Sequence, residues 1–126
     1  MAKILIVDDE AHIRILLEQT LEDFEDEGVE ILSCGDGKEA LEIIKQEKPE
    51  LIFLDVMMPV MNGFDVCRAV KKELKMDDVY IILLTAKGQE FDKKTGEEAG
   101  ADLYMNKPFD PDTILEIAAR VLGLEI

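Results

Sequence analysis

The stretch Leu51-Ile52-Phe53-Leu54-Asp55-Val56-Met57-Met58-Pro59 decides the fold. Four apolar residues, rich in strand formers, run without interruption into a single carboxylate, and Pro59 closes the run. Pro49 and Glu50 precede it. An unbroken apolar run of this length suits a strand buried on both faces, as in a parallel sheet covered by helices. Asp55 then stands where the strand emerges into a loop. A carboxylate there is either a strand-end cap or a chemical group on a rigid support, and the rest of the chain decides between them.

Outward from that strand the pattern repeats. Lys3 to Val7 is a short apolar run ending in Asp8-Asp9-Glu10. Ile13, Leu16, Leu17, Leu21 and Phe24 follow at helical spacing, so a first helix is expected to about Asp26, stopping at Gly28. Val29 to Ser33 reads as a second strand. Asp36 is a suitable N-cap for a helix whose apolar face is Ala40, Leu41 and Ile44. After the strand Leu51–Leu54, the stretch Pro59-Val60-Met61-Asn62-Gly63 has turn chemistry, with Met58, Met61 and Phe64 expected to pack around it. A third helix is predicted from about Phe64 to Leu74, burying Val66, Ala69, Val70 and Leu74. Val79 to Leu84 is a fourth strand, ending in Thr85-Ala86. A weak helix over Phe91–Glu98, interrupted by Gly96 and ended by Gly100, leads to a fifth strand, Ala101–Met105. Asp110 or Asp112 begins the last helix, with Pro111 in its first turn and Ile114, Ile117, Ala118, Val121 and Leu122 on its apolar side. Strand and helix alternate five times without a linker or a second core. The expectation is one α/β domain over residues 1–126, a doubly wound, five-stranded parallel sheet with five helices.

At 126 residues, 48% hydrophobic and 34% charged, the chain can bury a self-sufficient core. No apolar run approaches the roughly 18 residues of a membrane span, and Met1-Ala2-Lys3-Ile4 enters a strand directly with no signal-peptide pattern; a cytoplasmic protein is expected. The net charge of −15 argues against direct nucleic-acid binding and against anionic membranes. Cys34 and Cys67 lack zinc-ligand spacing and read as reduced, buried thiols. His12 reads as an exposed helix residue.

In a doubly wound sheet, ligands bind beyond the C-terminal ends of the strands. The first strand delivers Asp8, Asp9 and Glu10 there, the third Asp55, the fourth Thr85 and the fifth Lys107, while Ser33-Cys34-Gly35 after the second offers nothing distinctive. Carboxylates this close repel, raising the pKa of at least one unless a cation intervenes. Magnesium, which takes oxygen ligands, is the natural cation. A carboxylate between a divalent metal and an ammonium, with a hydroxyl nearby, suits phosphoryl transfer. Asp55 is then either the nucleophile, giving an aspartyl phosphate, or a simple metal ligand.

The ordered set Ile6-Val7-Asp8-Asp9-Glu10, Leu54-Asp55-Val56-Met57-Met58-Pro59 with Asn62-Gly63, Leu84-Thr85-Ala86, Gly100-Ala101-Asp102 and Lys107-Pro108-Phe109 resembles the response-regulator receiver domains of two-component signalling over essentially the whole chain. The resemblance implies a flavodoxin-like, CheY-like sheet of order 2-1-3-4-5. It implies Asp55 as phosphoacceptor; Asp8, Asp9 (most directly), Asp55 and the carbonyl of Met57 as ligands of Mg2+, for which Mn2+ can substitute; Thr85 and Lys107 as catalytic partners of the phosphoryl group; and a cis Lys107–Pro108 bond. Thr85 and Tyr104 match the family's switch pair, and Met57 and Lys87 the positions that tune phosphoryl lifetime, here toward slow hydrolysis. The partners implied are a sensor histidine kinase or phosphotransfer protein and a downstream protein target met through helix 4, strand 5 and helix 5. The expected form is a stand-alone receiver, a monomer or a phosphorylation-dependent homodimer, that phosphorylates and dephosphorylates itself without being a turnover enzyme. Two rivals remain: a phosphate-independent binding module of the same fold, and a haloacid-dehalogenase-type phosphatase, whose second aspartate is replaced here by Met57. A flavin-binding protein is disfavoured because Asp8-Asp9 stands where a phosphate-cradling loop belongs.

Overall fold

A computed structural model describes residues 2–85 and 93–124. Five strands, β1 (Lys3–Val7), β2 (Glu30–Cys34), β3 (Leu51–Asp55), β4 (Tyr80–Thr85) and β5 (Leu103–Asn106), form one parallel sheet of order β2-β1-β3-β4-β5. The helices are α1 (Ala11–Leu21), α2 (Gly37–Glu47), α3 (Gly63–Arg68), α4 (Lys93–Ala99) and α5 (Pro111–Leu122). The expected doubly wound α/β fold is the one observed. Among the described residues, no helix is long and apolar enough to cross a membrane.

β3 sits centrally and is buried along its whole length. Its alternate side chains feed two separate cores, as strand periodicity requires. Ile52 and Leu54 join Leu5, Val7, Ile81 and Leu83 under α2, α3 and α4. Leu51 and Phe53 join Ile4, Ile6, Ile82 and Leu84 under α1 and α5. The register sets Val7 against Leu54, Asp55 against Leu84, and Thr85 against Asn106, so the ends of β1, β3, β4 and β5 lie along one edge.

The helix ends depart from periodicity. α1 gives way to a 3-10 stretch, Glu22–Glu27, before Gly28 turns the chain at φ 85°. α3 is regular only to Arg68 and continues as a wider π-helical turn, Ala69–Glu73, so Leu74 is 39% exposed and not buried as expected. Leu16 is likewise 44% exposed, because only Leu17 and Leu21 of α1 reach the core fully. Gly96 does not interrupt α4: its missing side chain lets the helix lie against Tyr104, whose Cδ2 would be 3.2 Å from an added Cβ. The expected start of that helix at Phe91 falls outside the described residues, as does Lys87. The strand ends shift by a residue or two: β2 and β4 begin and end one residue later than expected, β3 extends to Asp55, and β5 runs Leu103–Asn106. Asp36 and Asp110 cap α2 and α5 by accepting from the amides of Glu39 and Asp112. Cys34 and Cys67 are free and buried, and burial pushes both thiols up to about 11. Met58 and Phe64 are buried, with Met61 packed against them.

Candidate functional site

The chemistry collects at the edge where β1, β3, β4 and β5 end. Asp8 is completely buried and held on every side. One carboxylate oxygen accepts from the amide of Glu10 at 2.9 Å, the other from Lys107 Nζ at 2.6 Å, and its backbone carbonyl accepts from the Arg14 guanidinium at 2.6 Å. Lys107 is brought in by the loop after β5, where its amide donates to the carbonyl of Thr85 at 2.6 Å and the Lys107–Pro108 peptide is cis, as expected. Its ammonium lies 3.4 Å from Asp55 Oδ1 and 3.9 Å from Glu10 Oε1. Burial opposes that charge, but hydrogen bonds and attraction from Asp8 and Asp55 outweigh it and raise the lysine pKa.

Asp55 is 4% exposed. Its pKa is pushed up to about 7, first by burial and then by the neighbouring Asp8 charge, with Lys107 pulling the other way. A hydrogen bond between the Asp9 and Asp55 carboxyl groups adds to the rise. The loop beyond Asp55 is pinned by Gly63, whose amide donates to Val56 O at 2.9 Å. An added Cβ on Gly63 would stand 2.4 Å from the Asp55 carbonyl, so only glycine lets α3 start this close to the strand. Asn62 caps α3 by accepting from the Asp65 amide at 3.0 Å.

Thr85 ends β4 one residue beyond the partner of Asp55. It is 1% exposed, and its hydroxyl has no hydrogen-bond partner among the described residues. Tyr104 on β5 pairs with Leu83, two residues before Thr85, so Tyr104 and Thr85 face the same side of the sheet. The tyrosine packs against the α2–α4 core with its hydroxyl buried. It also lines a cavity of about 210 Å³ with Gly96, Glu97, Ala101, Asp102 and Leu103. His12 is exposed, 3.5 Å from Glu10.

The donors suit a hard cation. Carboxylate oxygens of Asp8, Asp9 and Glu10 lie within 4.8 Å of one another, and all are oxygen donors of the kind magnesium takes. The raised pKa of Asp55 marks a place where a cation would relieve carboxylate crowding. Asp8 has both oxygens engaged, whereas Asp9 is exposed and turned toward Asp55. The carbonyl of Met57 accepts no backbone hydrogen bond from a described residue. The structure thus brings Asp8, Asp9, Asp55, Thr85 and Lys107 to one edge and sets Tyr104 at its flank. Sequence reasoning placed Glu10 in this cluster, though without a role of its own, and missed Arg14, which grips Asp8. Its one signal was Arg14 following Glu10 by four residues, a single helical turn.

The family model for the response regulator receiver domain matches residues 4–119. The alkaline phosphatase synthesis transcriptional regulatory protein PhoP of Bacillus subtilis is 47% identical over 122 residues, covering 97% of this chain and 48% of that protein. The probable transcriptional regulator ycf27 of Porphyra purpurea is 48% identical over 119 residues, covering 94% of this chain and 45% of that one. This chain therefore spans slightly less than half the length of these relatives. Among solved structures, the chemotaxis response regulator CheY4 of Vibrio cholerae superposes with a TM-score of 0.82 at 37% identity, covering 96% of this chain and 98% of that one. A CheY-like response regulator receiver domain protein from Methanospirillum hungatei gives 0.79 at 32% identity, covering 97% of this chain and 94% of that one. By family match, relatives and fold together, this chain belongs to the response regulator receiver domains, the signalling modules of two-component phosphorelay systems.

Proposed function

We propose that the chain accepts a phosphoryl group on Asp55 from a phosphohistidine of a sensor kinase or phosphotransfer protein, and later releases it by hydrolysis. The observation that carries this reading is the Thr85 hydroxyl, buried at the end of the strand next to that of Asp55, one residue beyond the register partner of Asp55, and without a hydrogen-bond partner among the described residues. Such a group costs about 1–3 kcal/mol when left unpaired, and a phosphoryl oxygen on Asp55 would accept its hydrogen bond.

In the transfer, an Asp55 carboxylate oxygen attacks phosphorus in line. The bond from phosphorus to the donor imidazole nitrogen breaks, its electron pair leaves with that nitrogen, and an aspartyl phosphate results. Lys107, aimed by its 2.6 Å bond to Asp8, lies within reach of a phosphoryl oxygen on Asp55. Asp9, Asp55 and the Met57 carbonyl, with Asp8 behind them, would hold a magnesium ion, which when bound neutralises charge on the phosphoryl oxygens. Hydrolysis is attack of water on the same phosphorus, returning the carboxylate and inorganic phosphate. Met57 is half-exposed and offers that water no hydrogen bond, which favours a long-lived phosphoryl group.

Thr85 and Tyr104 share one side of the sheet, so drawing the hydroxyl toward the phosphoryl group opens space on that side. The switch shifts a two-state equilibrium read by a downstream protein on the α4–β5–α5 face. Incubation with acetyl phosphate or phosphoramidate and magnesium, followed by intact mass, tests the reading. The expected result is a gain of about one phosphoryl group (roughly 80 Da), hydroxylamine-labile and lost in Asp55→Ala. An adduct of the same stability on Asp55→Ala would rule out Asp55 as acceptor.

A further inference from the structure

Arg14 stands outside the set of residues assigned above, and its surroundings are unusual for a charged side chain. It is half-buried in a protein with 29 acidic residues, yet forms no ion pair with any described carboxylate. Its guanidinium donates instead to the backbone carbonyl of Asp8, at 2.6 Å. Gly35, after β2, makes room for it: a Cβ there would lie 3.3 Å from the same terminal nitrogen and 3.9 Å from the Asp8 carbonyl oxygen.

We infer that Arg14 is a positioning residue for the metal ligand Asp9, acting through the Asp8–Asp9 peptide; the inference rests on the site reading proposed above. A peptide group is planar, so the direction of the Asp8 carbonyl fixes the direction of the Asp9 amide and the attachment of the Asp9 side chain. On the near side, Asp8 is already tied. Its amide donates to Cys34 O at 3.2 Å, and its carboxylate is held by Glu10 and Lys107. The carbonyl is the remaining handle, and a charge-assisted bond from a planar guanidinium is the strong form of such a tie. Arg14 itself is anchored because its amide donates to Glu10 O at 3.2 Å, one turn back along α1. Without the guanidinium the peptide rotates toward solvent, and the exposed Asp9 carboxylate loses its aim at Asp55.

The test is the dissociation constant of Mg2+ by isothermal titration calorimetry on the full chain, with metal-free thermal midpoints and amide NMR spectra alongside. Arg14→Met, which keeps the aliphatic stem, is expected to weaken Mg2+ binding about three- to tenfold, in the range of lost second-sphere partners. Its metal-free midpoint should stay within about 3 °C of wild type, and the Asp9 amide resonance should shift. Arg14→Lys, which can still donate to the carbonyl, should recover part of the affinity. Gly35→Ala approaches from the other side, displacing the guanidinium by a few tenths of an ångström, and should weaken binding in the wild type but not in Arg14→Met. A Mg2+ constant within twofold of wild type in Arg14→Met overturns the inference. If that variant fails to fold, an unchanged constant in Gly35→Ala does so. Asp9→Asn separates the two levels: if it binds Mg2+ as the wild type does, the site reading fails, whatever Arg14 does.

Discussion

Asp55 carries a proton in the folded protein at a pH where the unfolded chain has released it. Its folded pKa, about 7, lies above the ordinary 3.8. Below the lower value both states are protonated and the site costs nothing. As pH rises from about 4 to about 7, the folded state alone must hold the proton or bury the charge, so stability falls through this window and the penalty is complete above it. Asp55→Asn, which cannot ionise, should therefore be more stable than wild type in metal-free buffer at pH 7.5, by about 1–3 kcal/mol in urea denaturation. The gain should shrink toward zero near pH 4. A variant no more stable than wild type at pH 7.5 would show that Lys107 already neutralises the site. Val60 is a second strained residue: β-branched, 94% exposed, and at φ 70°, where the Met61 amide closes a tight turn onto Pro59 O at 2.7 Å. Asparagine tolerates that region better, so Val60→Asn should raise stability by about 1 kcal/mol, and a loss of stability would count against strain. The charged members of the site were legible in the sequence because each ends a strand, where burial pattern and position coincide. The grip of Arg14 on a backbone carbonyl was not, since only the packing of α1 on the β2–α2 turn creates it.

The strands matched their apolar runs to within a residue or two because burial on two faces leaves a hard boundary where water begins. Helix ends are softer. α3 widens after Arg68 with no proline or glycine to announce it, and α1 tightens before Gly28. The widened turn has a use at this scale: it carries Lys71 inward. Its ammonium, with a side chain 9% exposed, donates to the Val79 carbonyl and pairs with Asp102 Oδ2 at 3.0 Å. The same Asp102 oxygen accepts from the Ile81 amide at 2.9 Å. Three elements, α3, β4 and the turn before β5, are thus fastened by one carboxylate. Asp102→Ala leaves a buried cation without its counter-charge and the Ile81 amide without its acceptor, so it should cost about 2–4 kcal/mol, well above a surface ion pair. Adding Lys71→Met removes the orphaned charge and should return part of that loss. If the double variant is no more stable than Asp102→Ala alone in chemical denaturation, the pairing is not what fastens the turn.

Across the whole molecule two electrostatic effects are superimposed. The net charge of −15 repels itself in the compact state, while the carboxylates at the sheet edge repel locally. Monovalent salt screens the first over a Debye length of about 10 Å at 0.1 M and reaches the buried Asp8 and Asp55 far less. Sodium chloride should therefore raise the thermal midpoint gradually, in wild type and Asp9→Asn alike. Magnesium should add a further increment that persists in 0.5 M sodium chloride, since it is binding and not screening. At a tenfold excess over its dissociation constant the increment is about 1.4 kcal/mol, or about 4–7 °C for a domain of this size. Asp9→Asn begins from a higher metal-free midpoint, having lost one of the crowded charges, and should lose the magnesium increment while keeping the response to sodium chloride. A magnesium increment of equal size in Asp9→Asn would mean that the ion acts on the acidic surface at large. Loss of that increment alone would separate the edge where the strands end from the rest of an acidic protein, and would tie the carboxylates gathered there to the chemistry proposed for them.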